Sequence, residues 1–158
     1  DLSSDAGLLL IKEFISKLGI DKLLDKTFKT NDPALFRYHM DQENLLQMIY
    51  MSIAGYFEDD ASDELTNDPV FKSVLEKDTL ASQPTVSRFF NRMDEDTLNQ
   101  FLAINRVLRK KIYNIQMPQA VILIWIPLSL MHTADKRAEP LTFIIKAMVI
   151  IHLSVMME

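Results

Sequence analysis

The chain has no cysteine in its 158 residues. Disulfides, Cys-ligated zinc and a thiol nucleophile are therefore excluded, and the composition fits a reducing cytoplasm. Glycine is nearly as scarce, with three in the whole sequence, too few for an all-β protein built on many tight turns. Few glycines beside abundant Leu, Met, Lys and Asp favour helices. A secretory leader is not expected, because acids precede the short apolar run Leu8–Ile11 in DLSSDAGLLLIKEF. Walker loop, dinucleotide fingerprint and Ser-His-Asp arrangement are all missing, and His39, His132 and His152 stand without a partner at metal-ligand spacing.

Apolar residues at 48% and charged residues at 25% make a globular composition rather than a disordered one. The length suits one domain with a tail. A net charge of −5 argues against nucleic-acid binding over the whole surface but leaves room for a local basic face. The charge is segregated along the chain. Glu58, Asp59, Asp60, Asp63, Glu64 and Asp68 form an acidic stretch, whereas Arg88, Arg92, Arg106, Arg109, Lys110 and Lys111 follow within a short span. Adjacent acids at a helix start act far more often as caps or a solvated face than as a metal site.

Helical spacing runs through most of the first 115 residues. Ser4 or Asp5 can cap a first helix with Leu8, Ile11, Ile15 and Leu18 inward, widened by Leu9, Leu10 and Phe14; Gly19 stops it. A second helix is expected over Asp21–Phe28, then a loop from Thr30 to Pro33. Asp41 or Gln42 starts the strongest helix, through about Tyr56, with Leu45, Met48, Ile49, Ser52 and Ile53 on one face and Leu46, Tyr50 and Met51 extending it; Gly55 and the acidic stretch end it. A helix so apolar on most sides belongs at the centre of a bundle. Asp63–Leu65 makes a turn of helix and Pro69 opens another. The last long helix runs from the Asp94–Asp96 break to about Ile115, with Leu98, Phe101, Leu102, Asn105, Leu108 and Ile112 as its buried side and Pro118 as its stop.

Between these lies LASQPTVSRFFNRM. Ser82 suits an N-cap and Pro84 the first turn. Val86, Phe89, Phe90 and Met93 form a core stripe at i, i+3, i+4 and i+7. A short helix ending near Thr79, a tight connection and a helix over Gln83–Met93 make a helix-turn-helix-like unit. Gln83, Thr85, Ser87, Arg88, Asn91 and Arg92 are the side-chain types a recognition helix presents, since Gln and Asn read adenine edges and Arg reads guanine or holds phosphate. Arg109 and Lys110, with Lys111, could add phosphate contacts that carry no sequence information. The same pattern also fits any helical bundle with a polar outer face.

The stretches SSDAGLLLIKEFISKLG, LLQMIYMSIAGYFEDDASDELTNDPVF and LASQPTVSRFFNRMDEDTLNQF resemble the amino-terminal region of bacterial DDE-type insertion-sequence transposases, the transposase DDE domain group 1. The resemblance covers residue 2 to about 123, and ELTNDPVF and LASQPTVSRF are its most specific blocks. It implies a helical region that helps bind the element's terminal inverted repeats. It further implies that an RNase H-like catalytic domain follows, whose three acidic residues bind two divalent metals, Mg or Mn. The first catalytic strand of that family should come at once, as a segment close to VILDLDST. Here the chain reads VILIWIPLS, and the likeness stops after Leu123.

A shifted reading frame accounts for the change. If the gene once read GAT TTG GAT TCC for DLDS, loss of the first G leaves ATT TGG ATT CC, which encodes Ile124, Trp125 and Ile126 and begins Pro127. Permitted codons for the whole tail, read in the other frame, give a string like the family's continuation, and the forced ATG codons of Met148, Met156 and Met157 fall where that frame gives HG and YDG. The expectation is a single-base deletion in the first catalytic Asp codon. Asp135 and Glu139 would then carry no chemistry, and no cofactor is expected, because the family's metal ligands are missing. Leu141–Met157 is largely apolar, but Lys146 and His152 interrupt it and it falls short of the ~20 residues a membrane span needs. A β-prone or disordered, aggregation-promoting tail is expected instead.

The expected architecture is mainly α. A helical bundle with a helix-turn-helix-like unit occupies residues 1–118, and residues 119–158 are a remnant of the first catalytic-domain strands, out of frame after Leu123. The expected function is that of a truncated transposase which binds terminal-repeat DNA in the cytoplasm, at the nucleoid, without strand transfer. A homodimer, or a heterodimer with an intact transposase, is the protein partnership this implies, and no membrane is involved. A helical interaction or dimerisation module, and a decayed product without function, stand beside it.

Overall fold

A computed structural model describes residues 5–117 except Leu35 and Asp59. The capping role expected of Ser4, the stop at Pro118, the change of sequence after Leu123 and every expectation for the tail lie outside the described residues. Seven helices follow in order among those that are described: α1 (Leu8–Leu18), α2 (Ile20–Thr27), α3 (Asp41–Ala54), α4 (Ala61–Leu65), α5 (Pro69–Leu75), α6 (Gln83–Phe90) and α7 (Glu95–Ile115). There is no strand among the described residues, so this part is mainly α, as the composition implied. The described residues fall into two units, which part after Gln100.

In the first unit α3 is central. It packs against α1, α2, α5 and α6, while α1 also meets α2 and α5, and α4 meets α6. That placement follows from its sequence, because Leu45, Met48, Ile49, Tyr50 and Met51 give it apolar side chains on most of its circumference, and all five are buried. Around them Leu8, Ile15, Leu24, Phe28, Phe71, Val74, Val86 and Phe89 complete the core. Phe28 meets Phe89 edge-on at 6.1 Å between ring centroids, and Tyr56 meets Phe71 at the same distance. Burial pushes the Tyr50 phenol up to about 12, with the charges of Asp21 and Glu76 adding to it.

Helix ends are set by local chemistry. Gly19 and Gly55 stop α1 and α3 in the left-handed region, at φ 62° and 95°. Glu43 reaches back to the Met40 amide at 2.9 Å and fixes the start of α3. Asp68 accepts from the amides of Val70 and Phe71 at 2.8 and 3.0 Å, with Pro69 in the first turn of α5. Asp94 accepts from the Thr97 amide at 3.0 Å as α7 begins. The acidic residues Asp68 and Asp94 therefore serve as caps.

Several expectations change. Asp5 does not cap α1 with its side chain; its carboxylate accepts the Tyr56 hydroxyl at 3.1 Å. Leu9, Leu10 and Phe14 do not widen the buried face of α1 but are exposed, Leu10 at 72%. Ile53 is likewise exposed near the end of α3. On α7 the buried positions are Thr97, Phe101, Ile104, Asn105 and Leu108, while Leu98 and Leu102 face outward. Phe101, Asn105 and Leu108 keep their expected inward places, while Thr97, whose hydroxyl donates to Asp94, and Ile104 are buried in place of Leu98 and Leu102. The described part of the second unit is the remainder of α7 and its first following residues, among which Phe101, Ile104 and Leu108 have low solvent exposure.

Candidate nucleic-acid interface

The segment before α6 is fixed from beneath. Gln47, at the middle of α3, is buried, and its side-chain amide makes two bonds with the backbone of Ala81: Nε2 donates to the carbonyl at 2.8 Å and Oε1 accepts from the amide at 2.9 Å. This pairing satisfies both backbone groups of a residue that lies in no helix. Ser82 then takes the N-cap position, and its carbonyl accepts from the amides of Thr85 and Val86 at 2.9 and 3.0 Å. Contrary to expectation, its side chain does not cap the helix. Its hydroxyl pairs with that of Thr85 at 3.1 Å, and the Gln83 amide instead donates to Asp63 of α4 at 2.9 Å.

Within α6, Val86 and Phe89 are buried and hold the helix against the core, while Phe90 and Met93 are half-buried. Arg88 is exposed, with its Nε donating to the Pro84 carbonyl at 2.9 Å. That bond returns the side chain to its own helix, and the residue remains exposed. Asn91 is exposed one turn further on, and Gln83, Thr85 and Ser87 are half-buried. The helix ends at Phe90 rather than Met93. Residues 91–93 form a tightened turn, in which the amides of Arg92 and Met93 donate to the carbonyls of Phe89 and Phe90 at 3.2 and 3.0 Å.

Arg92 has a different fate. Its side chain is only 16% exposed. Nη2 donates to Asp41 Oδ1 at 2.9 Å, Nε donates to the Thr30 hydroxyl at 3.1 Å, and Asp32 lies 3.4 Å from Nε. Asp41 in turn accepts both the amide and the hydroxyl of Thr30 at 2.7 Å, and the Asn31 amide donates to the Arg92 carbonyl at 3.4 Å. The bidentate hydrogen bonds of Arg37 hold the Asp32 carboxyl well below the usual carboxylate range, helped by the Ala34 amide and by the charge of Arg92. A guanidinium so engaged is turned toward the protein.

The expected site therefore separates into parts. Gln83, Thr85, Ser87, Arg88 and Asn91 share α6 and the residue that follows it, whereas Arg92 is turned inward. Arg109 and Lys110 are exposed on α7 in the second unit, with Arg106. The helix-turn-helix expectation also shifts. The preceding helix ends at Leu75, not near Thr79, and residues 76–82 form a longer connection than the 3–4-residue turn typical of that motif. The elements that α6 packs on are α3 and α4. Reasoning from the sequence alone missed Gln47, Asp41 and Thr30. A Gln among apolar residues in the middle of α3 was the available signal, because a buried amide demands a specific partner.

Among the described residues no group of three or more His, Asp or Glu is placed to hold a metal ion. Among the same residues, no helix is long and apolar enough to cross a membrane. The chain matches the family described as transposase DDE domain group 1 over residues 1–125. No curated protein and no solved structure matches it.

Proposed function

The chain belongs to the transposase DDE domain group 1 family, which gives it a transposase-related role, and we propose that within that role it binds the terminal repeats of its element without cutting them. The observation that carries this reading is α6: a short helix seated on the core by Val86 and Phe89, with Arg88 and Asn91 outward one turn apart. Guanidinium and carboxamide groups at that spacing suit base edges or neighbouring phosphates. Thr85 and Ser87 add short hydroxyls beside them. Arg109 and Lys110 are proposed as separate, sequence-blind phosphate contacts of the second unit.

Strand cleavage in this family rests on carboxylates that gather two cations about 4 Å apart. At the position where the resemblance expects the first of them, the chain carries Ile124. The proposed role is accordingly binding, as a remnant that occupies repeat ends or joins an intact transposase.

The test is a titration of terminal-repeat duplex with the chain at several salt concentrations. Arg88→Ala is expected to weaken specific binding by about 1–3 kcal/mol if Arg88 reads a base, and to lower the salt slope by about 1 if it holds a phosphate. Unchanged affinity and slope would reject α6 as the contact. A second reading, association with another helical surface, is favoured by the exposed Leu9, Leu10 and Phe14 of α1. It would stand if the chain self-associated without binding duplex.

A further inference from the structure

α6 is tied to α3 by polar bonds at both of its ends. At its start, the buried Gln47 carboxamide grips both backbone groups of Ala81, one residue before the N-cap. At its finish, Arg92 grips Asp41, the first residue of α3, and Thr30 beside it. The helix has 8 residues, so it is only about 12 Å long. Two apolar anchors, Val86 and Phe89, fix its depth, but apolar packing is non-directional and leaves rotation about the contact weakly specified. Directional bonds at the two ends fix what packing does not. The side chains of both clasps are themselves nearly covered, with Gln47 at 2% exposure and the Arg92 side chain at 16%.

We propose that Gln47 and Arg92 are positioning residues for the nucleic-acid face of α6: they touch no DNA, and they set the orientation in which Arg88 and Asn91 meet it. This rests on the DNA-binding reading above and adds to it a division of labour between two arginines of one segment. A side chain that reads a base must be held within about 0.5 Å and 10–20° of its productive geometry. A helix free to rock by more than that keeps its charge, and so its general attraction to DNA, but loses discrimination among sequences.

The experiment uses the full chain and two duplexes: one selected from a random-sequence pool by the unaltered chain, and an unrelated duplex of equal length. Affinity for each is measured across a salt series, with helical circular dichroism recorded in the same buffers. Arg92→Gln is expected to keep its helical signal and its salt slope while its preference for the selected duplex falls about tenfold, the scale of one lost base contact. Arg92→Lys, which retains a charge for Asp41, is expected to recover part of the preference. Should Arg92→Gln unfold, Asp41→Asn loosens the same clasp more gently and is expected to show the same loss of preference at constant slope.

A salt slope lowered by about 1 in Arg92→Gln would make Arg92 a phosphate contact and overturn the proposal. Wild-type preference in the folded variants would overturn it too, while leaving DNA binding itself intact. If the unaltered chain selected no duplex at all, the DNA-binding reading would fall first and the positioning role with it.

Discussion

Arg88 and Arg92 stand one helical turn apart and serve opposite surroundings. The difference comes from what lies nearby in space, not in sequence. Arg92 follows the last residue of α6 and meets the carboxylate of Asp41 and the hydroxyl of Thr30, both brought there by the folding of a distant segment. Arg88 meets only its own helix, at the Pro84 carbonyl, and remains available to solvent. Residue type marked both as candidate DNA contacts, and no local pattern separated them. Glycine positions were easier to read. Gly55 ends α3 with φ 95°, and a Cβ added there meets nothing within 4 Å. Gly55→Ala should therefore cost only the backbone strain, about 1–2 kcal/mol, measured as a lower urea midpoint with an unchanged slope. A loss well above that would mean that the turn also makes packing contacts.

Among the elements, helices with a strong apolar pattern were legible to within a few residues. α1, α3 and α7 begin and end near the positions that Gly19, Asp41, Gly55 and the Asp94 break indicated. Their inward faces were read less well. Leu9, Leu10 and Phe14 were assigned to the core of α1, yet a helix with apolar residues at adjacent positions cannot bury all of them against neighbours on one side. On α7, Phe101, Asn105 and Leu108 turn in as read, but Thr97 and Ile104 take the places expected of Leu98 and Leu102. The short helices depended on tertiary partners that the sequence does not display, such as Asp63 at the start of α6. For α6 the core anchor is clear. Phe89 is fully covered and packs on Phe28 at 6.1 Å. Phe89→Ala is expected to destabilise the first unit by about 3–5 kcal/mol, a large share of the ~5–15 kcal/mol that holds a domain of ordinary stability together. Thermal unfolding followed by circular dichroism reads this directly, and a shift equivalent to less than 1 kcal/mol would mean that α6 is not seated through Phe89.

For the whole molecule, family membership was legible from the blocks ELTNDPVF and LASQPTVSRF, in agreement with the family match over residues 1–125, and the helical architecture of the described residues was legible from composition and apolar spacing. The candidate interface was legible as a list of side chains but not as a geometry. Its parts fall into two units, its supposed tight turn is a longer connection, and one of its arginines is a clasp. The proposed function has this chain holding DNA without breaking it. It is tested most directly by one gel: the full chain is incubated with labelled terminal-repeat duplex in Mg²⁺ and in Mn²⁺, then resolved under native and denaturing conditions. A retarded native band whose strands remain full length in both metals is the expected result. Shortened or joined strands that depend on metal, or no retardation at any protein concentration, would contradict it.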